Sequence, residues 1–130
     1  ITIACGGGGI PVIEKEDGSV EGIAAVIDKD LAAEKLAEDM DADVLMILTE
    51  VERVSINYNK PNQQDLSSMT VHEAEKYMEE GHFAPGSMLP KVMAAVKFVK
   101  NNPGKKSIIT SLYKSMDALN SLTGTIIMDN

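Results

Sequence analysis

The chain has 130 residues, 44% of them apolar and 25% charged, which predicts one compact domain rather than a disordered segment. Its net charge of −8 argues against broad binding to nucleic acids or anionic membranes, because both need a basic face. No apolar run of membrane-spanning length is present. The single cysteine, Cys5, fits a reducing cytoplasm, and we expect a buried thiol at a strand end rather than a nucleophile.

The first part of the chain predicts a strand, a glycine loop and a helix. Ile1 to Cys5 alternates and runs into four glycines, as a strand entering a loop does. Residues 10–13 form a short extended piece before a turn at 16–19. A helix begins near Lys29, with Asp28 as its N-cap. Because the chain starts inside a predicted core strand and without Met, we expect a fragment or a processed chain.

The remaining elements alternate between strands and helices. Thr70 and Glu73 have the spacing of a capping box, and Gly81 is expected to close the helix that it opens. A further helix starts near Ser87 and carries an apolar stripe formed by Leu89, Val92, Val96 and Val99. We predict the other elements as a buried strand at 43–49, part of a hairpin at 54–58 with its turn at 59–62, a strand at 107–110, a short helix at 112–119 and a last strand at 125–128.

Strands alternating with helices predict an α/β domain with a mainly parallel sheet. In such folds the ligand lies beyond the carboxyl ends of the strands. Gly6–Gly9 and Thr49–Arg53 both fall at the carboxyl ends of predicted strands. These two segments are therefore the first candidates for a binding site.

The four glycines, Gly6, Gly7, Gly8 and Gly9, can bring backbone N–H donors close to an anion because they have no Cβ atoms. The segment matches neither the dinucleotide-binding glycine pattern nor the P-loop, since no Gly-Lys-Ser/Thr follows. A flexible turn is the alternative interpretation, and the residues by themselves leave both open.

Lys29 and Lys91 each fall at a predicted helix start, where their charge adds to the partial positive charge of the helix end and favours phosphate. An acidic residue such as Asp30 is consistent with an anion site if its carboxylate holds ammonium groups or faces Mg²⁺. The alternative is a solvated first turn at each helix. His82 is expected to be structural, because no metal-ligand spacing involves it or His72.

Five segments of the chain carry a family resemblance. They are ACGGGGIPVI (4–13), VIDKDLAAEKLA (26–37), DVLMILTEVERVSINYNKPNQ (43–63), EEGHFAPGSMLPKV (79–92) and SIITSL (107–112). In content and in order, these segments together resemble carbamate kinases. The IDKDLAAE and GHFAPGSM-x-PK motifs are specific within the wider amino-acid kinase superfamily. The resemblance covers essentially the whole chain.

The resemblance implies the carboxyl-terminal, nucleotide-binding region of a three-layer αβα sandwich with a mainly parallel sheet, spanning residues 1–130, without the amino-terminal carbamate-binding half. It implies reversible phosphoryl transfer between ATP/ADP and carbamate or carbamoyl phosphate, with Mg²⁺, as in arginine fermentation. It also implies a cytoplasmic enzyme, homodimeric when intact, that acts on small molecules.

The resemblance also implies a role for individual residues. Lys29 and Lys91 would contact the transferred phosphoryl group and the nucleotide phosphates, and Asp30 would organise the two lysines. Gly6–Gly9 would lie near the transferred phosphate. The nucleotide pocket would be lined by residues 49–55, above all Thr49, Glu50 and Val51, and by a second wall made of Phe83, Ala84, Pro85, Gly86, Ser87 and Met88.

Glu50 departs from the family pattern, which often has Asp there, and this weakens its expected ribose contact. Three alternatives stay open. One is a related amino-acid kinase acting on acetylglutamate or a nucleoside monophosphate, which the Asp28-Lys29-Asp30 triplet and the GHFAPGSM loop disfavour. The second is a nucleotide-binding module without turnover. The third is a purely structural α/β domain.

Overall fold

A computed structural model describes residues 1–129, which form a central sheet, two hairpins and four helices. The strands are Val12–Glu14 (β1), Val20–Gly22 (β2), Val44–Thr49 (β3), Val54–Ile56 (β4), Gln64–Leu66 (β5), Ser68–Thr70 (β6), Lys106–Ser111 (β7) and Thr125–Met128 (β8). The helices are Lys29–Asp39 (α1), Val71–Glu79 (α2), Met88–Asn101 (α3) and Ser115–Leu119 (α4), the last preceded by a turn of 3-10 helix at Leu112–Lys114.

The central sheet has the strand order β3-β7-β8-β6. The β3–β7 and β6–β8 pairs are parallel, whereas β7 and β8 are antiparallel. The predicted α/β class with a mainly parallel sheet is therefore confirmed. The antiparallel pair was not predicted, because hydrophobic periodicity identifies a strand but not its direction.

The core lies between α3 and the sheet. The stripe of Val92, Val96 and Val99 is buried, and it belongs to the same apolar cluster as Ile47 of β3 and Ile109 of β7. Helix α1 packs beside α3 and contacts β3. This packing places the first turns of α1 and α3 next to each other. None of the helices within residues 1–129 is both long and apolar enough to cross a membrane.

The local signals for helix ends are also confirmed. Asp28 is the N-cap of α1, and Thr70 and Glu73 form the capping box of α2. Gly81 follows α2 with a φ of +74°, a conformation that glycine adopts without strain. The predicted hairpin is present as the antiparallel pair β4–β5.

One predicted strand, Ile1–Cys5, does not form. These residues have no regular structure, and Ile1 and Ile3 are almost fully exposed. A strand needs a neighbouring backbone for its hydrogen bonds, and no other part of residues 1–129 pairs with this segment. Cys5 is accordingly half-buried and not at a strand end, so the expectation of a buried thiol was wrong.

Candidate active site

The first turn of α1 is held by the side chain of Asp28. Its Oδ1 accepts hydrogen bonds from the backbone N–H groups of Asp30 (2.8 Å) and Leu31 (3.1 Å). Two of the free donors of this helix end are therefore already satisfied. An anion bound here would depend on side-chain cations more than on the helix N–H groups.

Those cations are Lys29 and Lys91, which the structure brings together on Asp30. Lys91 Nζ donates to Asp30 Oδ2 at 2.8 Å, and Lys29 Nζ lies 3.6 Å from the same oxygen. Asp30 and Lys91 are buried, with 6% and 7% of their surface exposed, whereas the Lys29 side chain is 47% exposed. Lys91 is thus fixed, and Lys29 is free to turn toward a ligand.

The cluster is suited to a multiply charged anion. One carboxylate facing two ammonium groups leaves an excess of positive charge, and burial strengthens its interaction with a ligand. Lys91 uses one of its three N–H groups on Asp30, so two remain for other acceptors. The alternative interpretation was a solvated first turn at each helix. It does not apply to Lys91, because the ammonium group of Lys91 is buried.

The glycine loop lies against the start of α1. A Cβ atom on Gly8 would lie 1.9 Å from the carbonyl oxygen of Ile27, so only glycine fits at this position. Ile27 precedes Asp28, and the loop is therefore adjacent to the helix end that carries Lys29. The close approach at Gly8 argues against a turn that is flexible throughout.

A cleft of about 380 Å³ lies at the carboxyl end of β3, beside the β4–β5 hairpin. The segment after Thr49 forms part of it and is fixed to β7, since Thr110 Oγ1 donates to the Glu52 carbonyl at 3.3 Å. Glu50 is exposed. The cleft is lined by Val51, Glu52, Arg53, Ser55, Tyr58, Gln63 and Asp65.

Three lining residues, Tyr58, Gln63 and Asp65, were missed by sequence reasoning, which considered only residues 49–55 on this side. The predicted β4–β5 hairpin was the available signal, because pairing these strands brings their side chains to one place. Arg53 also has a buried Nε without a hydrogen-bond acceptor among residues 1–129.

The expected second wall, Phe83–Met88, does not line this cleft. Phe83 is 4% exposed and packs in the core, which leaves little of its side chain accessible to a ligand, and its place in the second wall stays a prediction. An aromatic ring is more stable buried among apolar side chains than exposed in a loop. Residues 84–87 are exposed and Met88 is half-buried, so these residues remain available to a ligand.

His82 has structural contacts. Its Nδ1 accepts from the backbone N–H of Asn57 at 3.4 Å, its Nε2 lies 3.2 Å from Glu80, and its ring packs edge-on against Tyr77. For metals, residues 1–129 contain no group of three or more His, Cys, Asp or Glu that could hold an ion. Asp30 is occupied by two lysines and does not suit Mg²⁺, which prefers carboxylate and water oxygens without competing cations.

Comparison with known proteins supports a kinase relationship. Residues 3–111 match the model of the amino acid kinase family. The chain is 58% identical over 128 residues to a carbamate kinase of Clostridium perfringens and 56% identical over 128 residues to carbamate kinase 1 of Enterococcus faecium. Each alignment covers 98% of this chain but only 40% and 39% of the relative. The chain thus spans about two fifths of the length of these curated relatives.

Solved structures agree with the sequence comparison. The carbamate kinase of Giardia lamblia bound to AMP-PNP superimposes with a TM-score of 0.89 and 46% identity, covering 95% of this chain and 42% of that one. An N-acetylglutamate synthase of Neisseria gonorrhoeae superimposes with a TM-score of 0.65 at 18% identity, covering 88% of this chain and 26% of that one, which is a likeness of fold alone.

Proposed function

Since this chain belongs to the amino acid kinase family, we propose that it is the nucleotide-binding part of a carbamate kinase. The observation that carries the proposal is the convergence of Lys29 and Lys91 on Asp30, in a chain 58% and 56% identical to two curated carbamate kinases. The reaction would move a phosphoryl group from carbamoyl phosphate to ADP. The bond from phosphorus to the carbamoyl oxygen breaks, a bond to the terminal β-phosphate oxygen forms, and carbamate leaves.

In this proposal the two lysines act on the phosphoryl oxygens. Phosphoryl transfer needs positioning and positive charge that follows the oxygens of the transferred group. Lys91 supplies a fixed ammonium group, and Lys29 supplies one that can reorient from the solvent side. Asp30 restrains both and so lowers the entropy lost on reaching the transition state. Gly6–Gly9 would lie near the same phosphate, since Gly8 contacts Ile27.

The nucleoside would occupy the cleft at the end of β3. Its volume is within the range of small-molecule sites. Tyr58 has an exposed ring that can stack on a base, Val51 adds apolar surface, and Thr49 and Glu50 directly precede Val51 in the chain. Ala84–Met88 would contact the nucleotide from the α3 side. Mg²⁺ would enter bound to the nucleotide phosphates, because the described residues do not form a site for it.

We further propose, as the motif resemblance implies, that this chain corresponds to the carboxyl-terminal region of its relatives. The remaining part would supply the carbamate pocket and contacts for a homodimer. A cytoplasmic location is part of the same proposal and fits a chain with one cysteine.

The test is a complete enzyme made from this chain and the remaining residues of the C. perfringens relative. One chimera places those residues before this chain and a second places them after it. The first chimera is expected to make ATP from ADP and carbamoyl phosphate, and the second is expected to be inactive. Activity only in the second would overturn the carboxyl-terminal assignment.

The two chimeras also distinguish the proposed function from the three alternatives. Nucleotide binding by both chimeras without ATP formation would favour a binding module. Phosphorylation of acetylglutamate or of a nucleoside monophosphate, in place of carbamate, would favour a related kinase. Absence of any nucleotide binding would favour a structural domain.

A further inference from the structure

Three acidic residues, Asp30, Glu34 and Glu38, form a row along the face of α1 that contacts α3, and Asp41 follows just after the helix. The three residues on the helix are spaced four apart and therefore lie above one another on its surface. Each of the four has a partner on α3 or just after it, and the partners advance along the chain in the same direction, so the two helices run parallel. The pairs are Asp30–Lys91 at 2.8 Å, Glu34–Lys97 at 2.6 Å, Glu38–Asn101 and Asp41–Lys105.

Glu34 differs from Glu38 and Asp41, the other two acidic residues that lie outside the candidate active site. Its side chain is completely buried, while Lys97 is half exposed. One carboxylate oxygen, Oε1, is buried without a hydrogen-bond donor among residues 1–129. A buried carboxylate is costly, and an apolar side chain of similar size is often more stable at such a position. Stability alone therefore does not explain a glutamate here.

The place of Glu34 in the fold suggests another reason. It lies one helical turn after Asp30, which is about 6 Å along α1. Asp30 and Lys29 belong to α1, whereas Lys91 belongs to α3, so any sliding or rotation between the two helices changes the distance from Lys91 to the other two residues. The Glu34–Lys97 bond joins the same two helices beside the site and opposes such movement.

We propose that Glu34 is a positioning residue, which through Lys97 fixes α1 against α3 and so holds Lys29, Asp30 and Lys91 in one arrangement. Its effect on catalysis rests on the proposed phosphoryl transfer, whereas its effect on the arrangement of the lysines does not. The charged groups that face Glu34 are Lys97 from α3 and Glu38 from α1. Strand β3, which also packs on α1, has no titratable side chain between Val44 and Thr49.

The first measurement needs no catalytic activity. The ammonium group of Lys91 is observed by ¹H–¹⁵N NMR in the chain itself, because a buried, paired lysine gives a signal distinct from those of solvated lysines. In Lys97→Met the signal is expected to shift or broaden as the Lys91–Asp30 pair loosens. Lys35→Met is the matched control. Lys35 is on α1, where it pairs with Asp39 at 2.7 Å and lies 3.6 Å from Glu38, and both of these partners are also on α1.

Variants of Glu34 complete the first measurement. Glu34→Ala is expected to perturb the Lys91 signal, and Glu34→Gln is expected to restore it, because the amide oxygen still accepts from Lys97. An unchanged Lys91 signal in a folded Glu34→Ala variant would overturn the proposal. If Glu34→Ala does not fold, Lys97→Met decides, since Lys97 is half exposed and its replacement leaves no cavity. An unchanged Lys91 signal in Lys97→Met then overturns the proposal.

The second measurement is kinetic and uses the active chimera. Lys97→Met is expected to lower kcat about tenfold, because a misplacement of about 1 Å at a reacting group can cost up to about a hundredfold. KM for ADP should change much less, and Lys35→Met should leave both constants unchanged. Equal losses in Lys97→Met and Lys35→Met would contradict a positioning role. If neither chimera is active, the proposed function fails, while the NMR result still decides whether Glu34 arranges the lysines.

Discussion

Asp30 and Lys91 are both buried and each is the other's charged partner. Removing either one leaves an uncompensated charge in a poorly solvated place. Such a pair is a weak source of stability, and the Lys29 side chain that lies beside it is 47% exposed. We propose that these three residues serve to bind an anion rather than to stabilise the fold.

The first prediction concerns Lys91. In the active chimera, Lys91→Ala is expected to lower kcat about 10²–10³-fold, the scale on which loss of one preorganised donor slows a reaction. Steady-state ATP formation measures the effect, and circular dichroism checks that the variant is folded. A kcat close to that of the parent enzyme would remove Lys91 from the mechanism.

The second prediction concerns the ionisation of Glu34. Burial raises the pKa of this carboxyl group; the hydrogen bond from Lys97 opposes the shift, and the neighbouring Glu38 adds to it. The folded state therefore binds this proton more tightly than the unfolded state does. The stabilisation that results from the raised pKa is fully present below the usual glutamate pKa. It is lost as pH rises through the raised pKa of the folded state.

Glu34→Gln cannot ionise, so its stability relative to the parent chain should increase as pH rises through that range. Urea unfolding at a series of pH values measures the difference. Three other carboxylates have pKa values lowered by their hydrogen bonds, and their protonation in acid destabilises both proteins equally. They are Asp41, Asp65 and Glu73. Their contribution therefore cancels. A difference that does not vary with pH would contradict the prediction.

At the scale of elements, the helix ends are determined by short-range chemistry. In the capping box of α2, the Glu73 carboxylate accepts from the Thr70 backbone N–H at 2.8 Å, and Thr70 Oγ1 accepts from the Glu73 N–H at 3.2 Å. The first of these bonds is the main cause of the lowered pKa of Glu73. Both bonds connect residues three apart, which is why the sequence was sufficient to predict them.

The third prediction follows from this motif. Thr70→Ala is expected to lower the free energy of unfolding by about 1 kcal/mol, the usual effect of removing an N-cap side chain. Chemical denaturation measures the change. Ser68→Ala, an exposed position two residues earlier in β6, is the control and should have little effect. Equal losses in the two variants would show that the cap does not stabilise α2.

At the scale of the whole molecule, the cluster of Lys29, Asp30 and Lys91 is separate from the cleft, and one nucleotide would have to span both. The cluster lies where the starts of α1 and α3 meet, and the cleft lies between the end of β3 and the β4–β5 hairpin. Neither Lys29 nor Lys91 lines the cleft. Binding at both places would connect the helices with the hairpin, and it should therefore stabilise the fold.

The fourth prediction is therefore a ligand-dependent melting temperature. ATP analogues at about 100 to 1,000 times their Kd should stabilise the chain by roughly 2–4 kcal/mol. The shift on adding nucleotide should be largely lost in Lys29→Ala/Lys91→Ala and retained in Lys35→Ala, whose ammonium group faces solvent on α1. Equal shifts in all three proteins would place the nucleotide elsewhere.

The sequence by itself determined the features that depend on neighbours along the chain. Asp28 at the start of α1, the Thr70–Glu73 box and the apolar stripe of α3 follow from periodicity and capping, whose interactions span only a few residues. The motif resemblance likewise identified Lys29, Asp30 and Lys91 as candidates. The resemblance could not determine how these three residues are arranged in space.

Only the tertiary structure decided which distant groups meet. It paired Lys91 with Asp30, brought Gly8 against Ile27, buried Phe83 in the core and joined Glu34 to Lys97. It also left Ile1–Cys5 without the neighbouring strand that its pattern requires. The physical reason is the same in each case: these outcomes depend on how the helices and strands pack, and packing is set by the whole chain rather than by any local segment of it.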